Sequence, residues 1–66
     1  MNVKINGKLQ SLDKKIKLSE LIFEKSLDVN KIVIEYNSEI VDKKYLSDIF
    51  IKEGDTIEIV SFVGGG

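Results

Sequence analysis

Residues 56–63 have the sequence TIEIVSFV and run directly into three glycines at 64–66. β-Branched and aromatic residues fill the first stretch, a composition typical of a β-strand. The glycines carry no side chains, so they can adopt backbone angles that are closed to other residues. We therefore predict a domain of residues 1–63 whose last strand continues into a flexible tail, residues 64–66.

The segments upstream supply partners for this strand. Apolar and polar residues alternate over residues 1–5, and an Asn-Gly pair then favours a tight hairpin turn that returns a second strand at 8–12. Apolar and polar residues also alternate over residues 32–36. A polar turn follows, and residues 40–41 then form a short strand. The sequence therefore predicts four to five strands.

Between the strands, apolar residues at helical spacing predict one amphipathic helix over residues 18–27. Residues 43–48 are polar around Tyr45 and Leu46 and suggest an irregular or 3₁₀ turn, after which residues 49–51 are expected to re-enter the core. A tight turn at 53–55 then leads into the last strand. This order predicts an α+β fold, a mixed sheet with one main helix across one face and the last strand lying centrally beside the first.

Composition limits what the side chains could do. A chain of 66 residues suits one small domain without a deep enclosed active site. It has no cysteine and no histidine, so the usual nucleophiles, zinc ligands and neutral-pH general bases are missing. We therefore expect a protein that is not an enzyme and binds no metal or cofactor by itself.

Charge and hydropathy argue against two classes of partner. Ten basic and eleven acidic residues are interspersed, with a net charge of -1, so no basic footprint for nucleic acid is present. No apolar run approaches the roughly 18 residues of a membrane span, and the start MNVKING lacks the features of a secretory signal. We therefore predict a cytoplasmic protein that binds neither nucleic acid nor membrane.

One side of the last strand is expected to remain uncovered. Alternation turns Ile57 and Ile59 toward the helix and leaves Val60 and Phe62 on the opposite side. Val33 should point the same way from the neighbouring strand. These three apolar residues either form a docking surface for a larger protein or are ordinary scattered surface residues.

Five segments in this order carry a family resemblance: MNVKING, LSELI, IVIEYNSEIV, the Gly54-Asp55 turn and the final strand into GGG. With them the whole chain resembles the ThiS family, the small sulfur-carrier proteins of thiamin biosynthesis. The resemblance implies a ubiquitin-like β-grasp fold. The chain departs from the family pattern at Lys17, where members of the family frequently have Thr. Because Lys cannot cap a helix, either Ser19 caps a shorter helix or the first turn is weaker.

The resemblance implies a role for the glycines. Gly66 would be the modified residue, and Gly64 and Gly65 would enter a partner's active site. An adenylating enzyme related to ubiquitin activators would use ATP to form an acyl-adenylate at Gly66. Sulfur from a donor protein would then displace AMP to leave a thiocarboxylate, the sulfur source for thiazole synthase. Two alternatives stay open, a carrier for molybdopterin or tRNA thiolation and a non-covalent β-grasp interaction domain.

Overall fold

A computed structural model describes residues 1–62. Val63, predicted to belong to the last strand, and the tail residues Gly64, Gly65 and Gly66 lie outside the described residues. In chain order the elements are β1 (Asn2–Ile5), β2 (Lys8–Ser11), α1 (Leu18–Glu24), a 3₁₀ turn (Val29–Lys31), β3 (Ile32–Tyr36), β4 (Glu39–Val41), a second 3₁₀ turn (Lys43–Asp48) and β5 (Thr56–Ser61).

The strands form one mixed sheet in the order β2-β1-β5-β3-β4. β5 is central and runs parallel to β1, while its other neighbour, β3, is antiparallel to it. The hairpins β1-β2 and β3-β4 complete the sheet. This confirms the predicted α+β, β-grasp arrangement of a five-stranded sheet and one main helix, with the last strand beside the first.

One apolar layer lies between α1 and the sheet. The helix contributes Leu18, Leu21 and Ile22, whose spacing places them on one side of the helix. The sheet contributes alternate residues of β1, β3 and β5, and the connecting segments add three more. The remaining buried apolar residues are Val3, Ile5, Ile16, Ile34, Leu46, Ile51, Ile57 and Ile59. Burial of these side chains is the main driving force for folding.

The helix is shorter than predicted and ends at Glu24, not at residue 27. Ser26 has φ of 57°, in the left-handed region, so the helix cannot continue through it. The N–H of Leu27 donates to the carbonyl of Ile22 at 3.2 Å, which satisfies a carbonyl at the helix end. Helical spacing predicted the helix, but the sequence has no glycine to mark where it stops.

The start of α1 resolves the question of the cap. The helix begins directly after Lys17, whose side chain makes no capping hydrogen bond, so Ser19 does not cap a shorter helix. Instead the N–H of Lys17 donates to Oε1 of Glu20 at 2.8 Å. The N–H of Leu18 donates to the carbonyl of Ile49 at 2.9 Å. Glu20 and a neighbouring segment therefore do the work that a Ser or Thr cap would do.

The prediction that residues 49–51 all re-enter the core is wrong for Phe50. Ile51 is fully buried and Ile49 packs against the core, but Phe50 is 47% exposed. Phe50 forms an isolated antiparallel bridge with Lys17, so this segment is extended and its side chains alternate in direction. Strand alternation, and not the continuous run of apolar residues, therefore decides which of residues 49–51 are buried.

The last strand ends at Ser61, earlier than the predicted Val63. The backbone of Phe62 still pairs with the residue just before β3, since its N–H donates to the carbonyl of Lys31 at 3.0 Å. Within residues 1–62, no helix has the length and apolar character needed to cross a membrane.

Candidate functional site

The sheet has α1 on one face, and we call the opposite face the open face. Strand alternation and pairing register assign the outward residues of each strand to it. Large apolar side chains on or beside the open face are exposed: Leu9, Val33, Ile40, Val60 and Phe62. This concentration of exposed apolar residues on one face suits a surface that another protein covers.

Three of these residues are the predicted docking residues. Val33 and Val60 stand directly opposite each other in the β3-β5 pair. The exposed fractions are 38% for Val33, 58% for Val60 and 47% for Phe62. The structure therefore places all three at the surface, with the two valines adjacent.

Phe62 stands where the described part of the chain ends, beside a shallow groove. The groove has a volume of about 310 Å³ and runs along the β3-β4 edge of the sheet. Its lining includes Val29, Val33, Ile40, Asp42, Lys43 and Phe62. A partner that covers Val33 would thus also reach the position from which residues 63–66 continue.

The sequence predictions did not include Ile40 and Leu9 in the docking surface. Ile40 stands opposite Glu35 in the β3-β4 hairpin, and Leu9 stands opposite Lys4 in the β1-β2 hairpin. Both are more than two-thirds exposed. Alternation within β3 would have identified Ile40, because a hairpin partner of an outward residue also points outward.

A polar cluster holds the β3-β4 turn against the segment before β5. Asp55 is 4% exposed, and its carboxylate accepts hydrogen bonds from the hydroxyl of Tyr36 and from Nδ2 of Asn37 at 3.1 Å. It also accepts from the N–H of Lys52 at 2.8 Å and forms an ion pair with Lys52 Nζ at 3.3 Å. Asn37 Oδ1 accepts from the N–H of Thr56 at 2.8 Å. The motif residues Asn37 and Asp55 are therefore explained by the fold.

The cluster shifts the pKa values of its members. Burial alone would raise the pKa of Asp55, but hydrogen bonds from Tyr36, Lys52 and Asn37 together hold that pKa below its usual value. Burial, and then the hydrogen bond to Asp55, raises the pKa of Tyr36. Hydrogen bonds to Tyr36 and Asp55 raise the pKa of Lys52. All three shifts favour the protonation states that hold the cluster together at neutral pH.

The described residues offer few groups for side-chain chemistry. Within residues 1–62, no three His, Cys, Asp or Glu side chains are grouped so that they could hold a metal ion. What the geometry presents is an apolar surface next to the outgoing chain. The tail residues Gly64, Gly65 and Gly66, predicted to carry the chemistry, lie outside the described residues.

Comparison with known proteins gives consistent results. The ThiS family model matches residues 3–66. The sulfur carrier protein ThiS of Bacillus subtilis is 35% identical over 49 residues, covering 74% of this chain and 74% of that protein. The crystal structure of the thiamine biosynthesis protein ThiS from Geobacter metallireducens superimposes with a TM-score of 0.86 at 28% identity, covering all of both chains.

A longer relative contains a segment similar to this chain. A thiazole synthase of Paramagnetospirillum magneticum is 35% identical over 66 residues, which is all of this chain. The chain spans only 20% of the length of that protein. A segment similar to this chain is thus one part of a larger protein in that organism.

Proposed function

The chain belongs to the ThiS family, and from that premise we propose that it is a cytoplasmic sulfur carrier of thiamin biosynthesis. In this proposal Gly66 is the residue that carries sulfur, as a thiocarboxylate. The observation that carries the proposal is the family match, which extends through the three glycines and not only over the folded domain. The protein itself is a substrate, and the catalytic groups belong to its partners.

We propose three covalent steps at Gly66. A carboxylate oxygen of Gly66 attacks the α-phosphorus of ATP in the active site of a ubiquitin-activator-like enzyme, and pyrophosphate leaves. The terminal sulfur of a persulfide on a donor protein then attacks the acyl carbon, and AMP leaves. A thiol cleaves the resulting acyl disulfide to give the thiocarboxylate and is itself oxidised to a disulfide. Activation is needed because a free carboxylate resists attack by a nucleophile.

This chain contributes a stem and a surface to these steps. Gly64 and Gly65 have no Cβ, so they would fit a narrow channel leading to the adenylating site. Val33, Val60 and Phe62 supply the surface on which the adenylating enzyme would dock. Their exposure supports this assignment, because an apolar surface gains stability when a partner removes it from water.

Thiazole synthase is the proposed recipient of the sulfur. The supporting observation is the relative from Paramagnetospirillum magneticum, a thiazole synthase that includes a segment similar to this whole chain. Because a segment similar to this chain is part of a thiazole synthase there, we expect this chain to meet a separate thiazole synthase. We therefore propose that the thiocarboxylate at Gly66 is consumed by thiazole synthase.

The test is a reconstitution read by intact mass. The protein is incubated with ATP, the adenylating enzyme and a persulfide donor, and a parallel reaction omits ATP. We expect an ATP-dependent mass increase equal to the difference between sulfur and oxygen, located at Gly66 by fragmentation. No change under conditions in which an established carrier is converted would refute the proposal. Transfer to thiazole synthase, rather than to molybdopterin or tRNA thiolation enzymes, then tests the pathway.

A further inference from the structure

Two carboxylates face each other on the open face. Glu35 of β3 and Glu58 of β5 are direct partners in the antiparallel register, and both are half-buried. Within residues 1–62, neither accepts a hydrogen bond, and the only ion pair joins Lys52 to Asp55. The nearest basic residue of the neighbouring strand is Lys4, which is opposite Thr56 and forms no ion pair with either carboxylate.

The charge pairing is unfavourable for the fold. Like charges directly opposite each other on neighbouring strands destabilise a sheet. The two glutamates also make no compensating contact with a cation in the described part of the chain. Since packing and hydrogen bonding do not account for the pair, its use must be sought in what covers the open face.

The surroundings of the pair specify the chemistry of that partner. Val33 and Val60 form the next outward row on the same two strands, about 7 Å away at the rise of a β-strand. Ile40 flanks Glu35 from β4. The pair is therefore bordered on two sides by apolar side chains, so a docked partner would shield it from water and strengthen its attraction for a cation.

We propose that the open face docks a protein surface that presents an arginine to Glu35 and Glu58 and an apolar group to Val33 and Val60. Arginine fits better than lysine, because its planar guanidinium can bond two carboxylates at once while its stem lies on apolar side chains. This rests on the proposed function, since the partner with this surface is the adenylating enzyme.

The test compares the double variant Glu35→Gln/Glu58→Gln with the wild type. Binding to the adenylating enzyme is measured by calorimetry over a range of salt concentrations. We expect roughly tenfold weaker binding and a smaller salt dependence for the double variant, because the charge attraction is lost. Its unfolding midpoint should be equal to or higher than that of the wild type, since a repulsive pair has been removed.

The matched control is Glu39→Gln. Glu39 lies in the same β3-β4 hairpin, but it is paired with Tyr36 and so belongs to the face on the α1 side. Glu39→Gln removes one carboxylate charge, half of what the double variant removes, and it should leave affinity unchanged. An equal loss of affinity in this control would overturn the proposal, because it would show that net charge alone is responsible.

Further outcomes separate this inference from the proposed function. One outcome is that the wild type is converted to the thiocarboxylate while the double variant binds the enzyme with wild-type affinity. That outcome would overturn the proposed arginine contact and leave the carrier function standing. If the open face instead mediates self-association, sedimentation will show a dimer that the double variant strengthens, which also overturns the inference. If the wild type neither binds the enzyme nor is converted, both proposals fail.

Discussion

Tyr36 donates its hydroxyl hydrogen to the carboxylate of Asp55, a residue 19 positions further along the chain. The bond joins the end of β3 to the residue just before β5. Asn37 adds two hydrogen bonds to this connection. Its Nδ2 donates to the carboxylate of Asp55, and its backbone N–H donates to the carbonyl of Thr56 at 2.7 Å. The central strand is thus tied to the β3-β4 hairpin by side chains as well as by the sheet.

Substitution Tyr36→Phe should destabilise the protein by roughly 1–3 kcal/mol, because a nearly buried carboxylate loses a hydrogen-bond donor. Urea unfolding followed by circular dichroism measures the loss. Tyr45→Phe is the matched control, since Tyr45 is 51% exposed and accepts or donates no side-chain hydrogen bond in the described chain. A Tyr36→Phe variant as stable as the control would show that the bond contributes nothing.

The same cluster predicts a loss of stability in acid. The pKa of Asp55 is lower in the folded chain than its usual value of 3.8, so the unfolded chain binds the proton more readily. The stabilising contribution is therefore complete above pH 3.8 and is lost as the pH falls through the lower, folded-state pKa.

This acid dependence is measured as the difference between wild type and Asp55→Asn in the free energy of unfolding across the acidic range. The variant should be less stable at neutral pH, and the difference should shrink as the pH falls. A difference that stays constant with pH would contradict the assignment of the lowered pKa to Asp55.

Much of the fold could be predicted because its signals are local. Alternation identified the strands, and helical spacing identified α1. The helix end, the burial of residues 49–51 and the pairing of Glu35 with Glu58 do not follow from these local patterns. They depend on the left-handed backbone conformation of Ser26, on the β-bridge between Phe50 and Lys17, and on the register of the strands. All three are set by tertiary packing.

Some features of the candidate site could also be predicted from the sequence, and others could not. The exposure of Val33, Val60 and Phe62 follows from alternation plus one helix that covers one face. The chemistry assigned to Gly66 comes from family resemblance, since no side chain in the sequence indicates it. Ile40 could have been added from its hairpin position, but the groove beside Phe62 depends on how the β3-β4 edge packs.

Glu20→Ala should destabilise the domain by about 0.5–1 kcal/mol, because Glu20 accepts the N–H of Lys17 and lies at the positive end of the helix dipole. Glu24→Ala is the control, since Glu24 is exposed in the last turn, where a negative charge is unfavourable. Thermal unfolding should show a lower midpoint for the first variant and an unchanged or higher one for the second. Equal midpoints for the two variants would rule out a capping role for Glu20.

Phe62→Asp should weaken binding to the adenylating enzyme while leaving stability nearly unchanged, since Phe62 is half exposed and lies beyond β5. Phe23→Asp introduces the same charge at an 83% exposed position on α1, away from the open face. Binding curves should therefore show weaker affinity for Phe62→Asp and unchanged affinity for Phe23→Asp. Equal affinities would leave Phe62 an ordinary surface residue.

Deletion of Gly66 should abolish ATP-dependent sulfur incorporation, because it removes the residue whose carboxylate is proposed to react and moves the chain end back by one position. The buried core lies between Val3 and Ile59, so the deletion should leave the unfolding midpoint almost unchanged. Intact mass and thermal unfolding of the same sample measure both effects. Full sulfur incorporation after the deletion would exclude Gly66 as the required residue. A large fall in the midpoint would instead assign the glycine a structural role, because a residue that only presents a carboxylate to a partner contributes little to the free energy of unfolding.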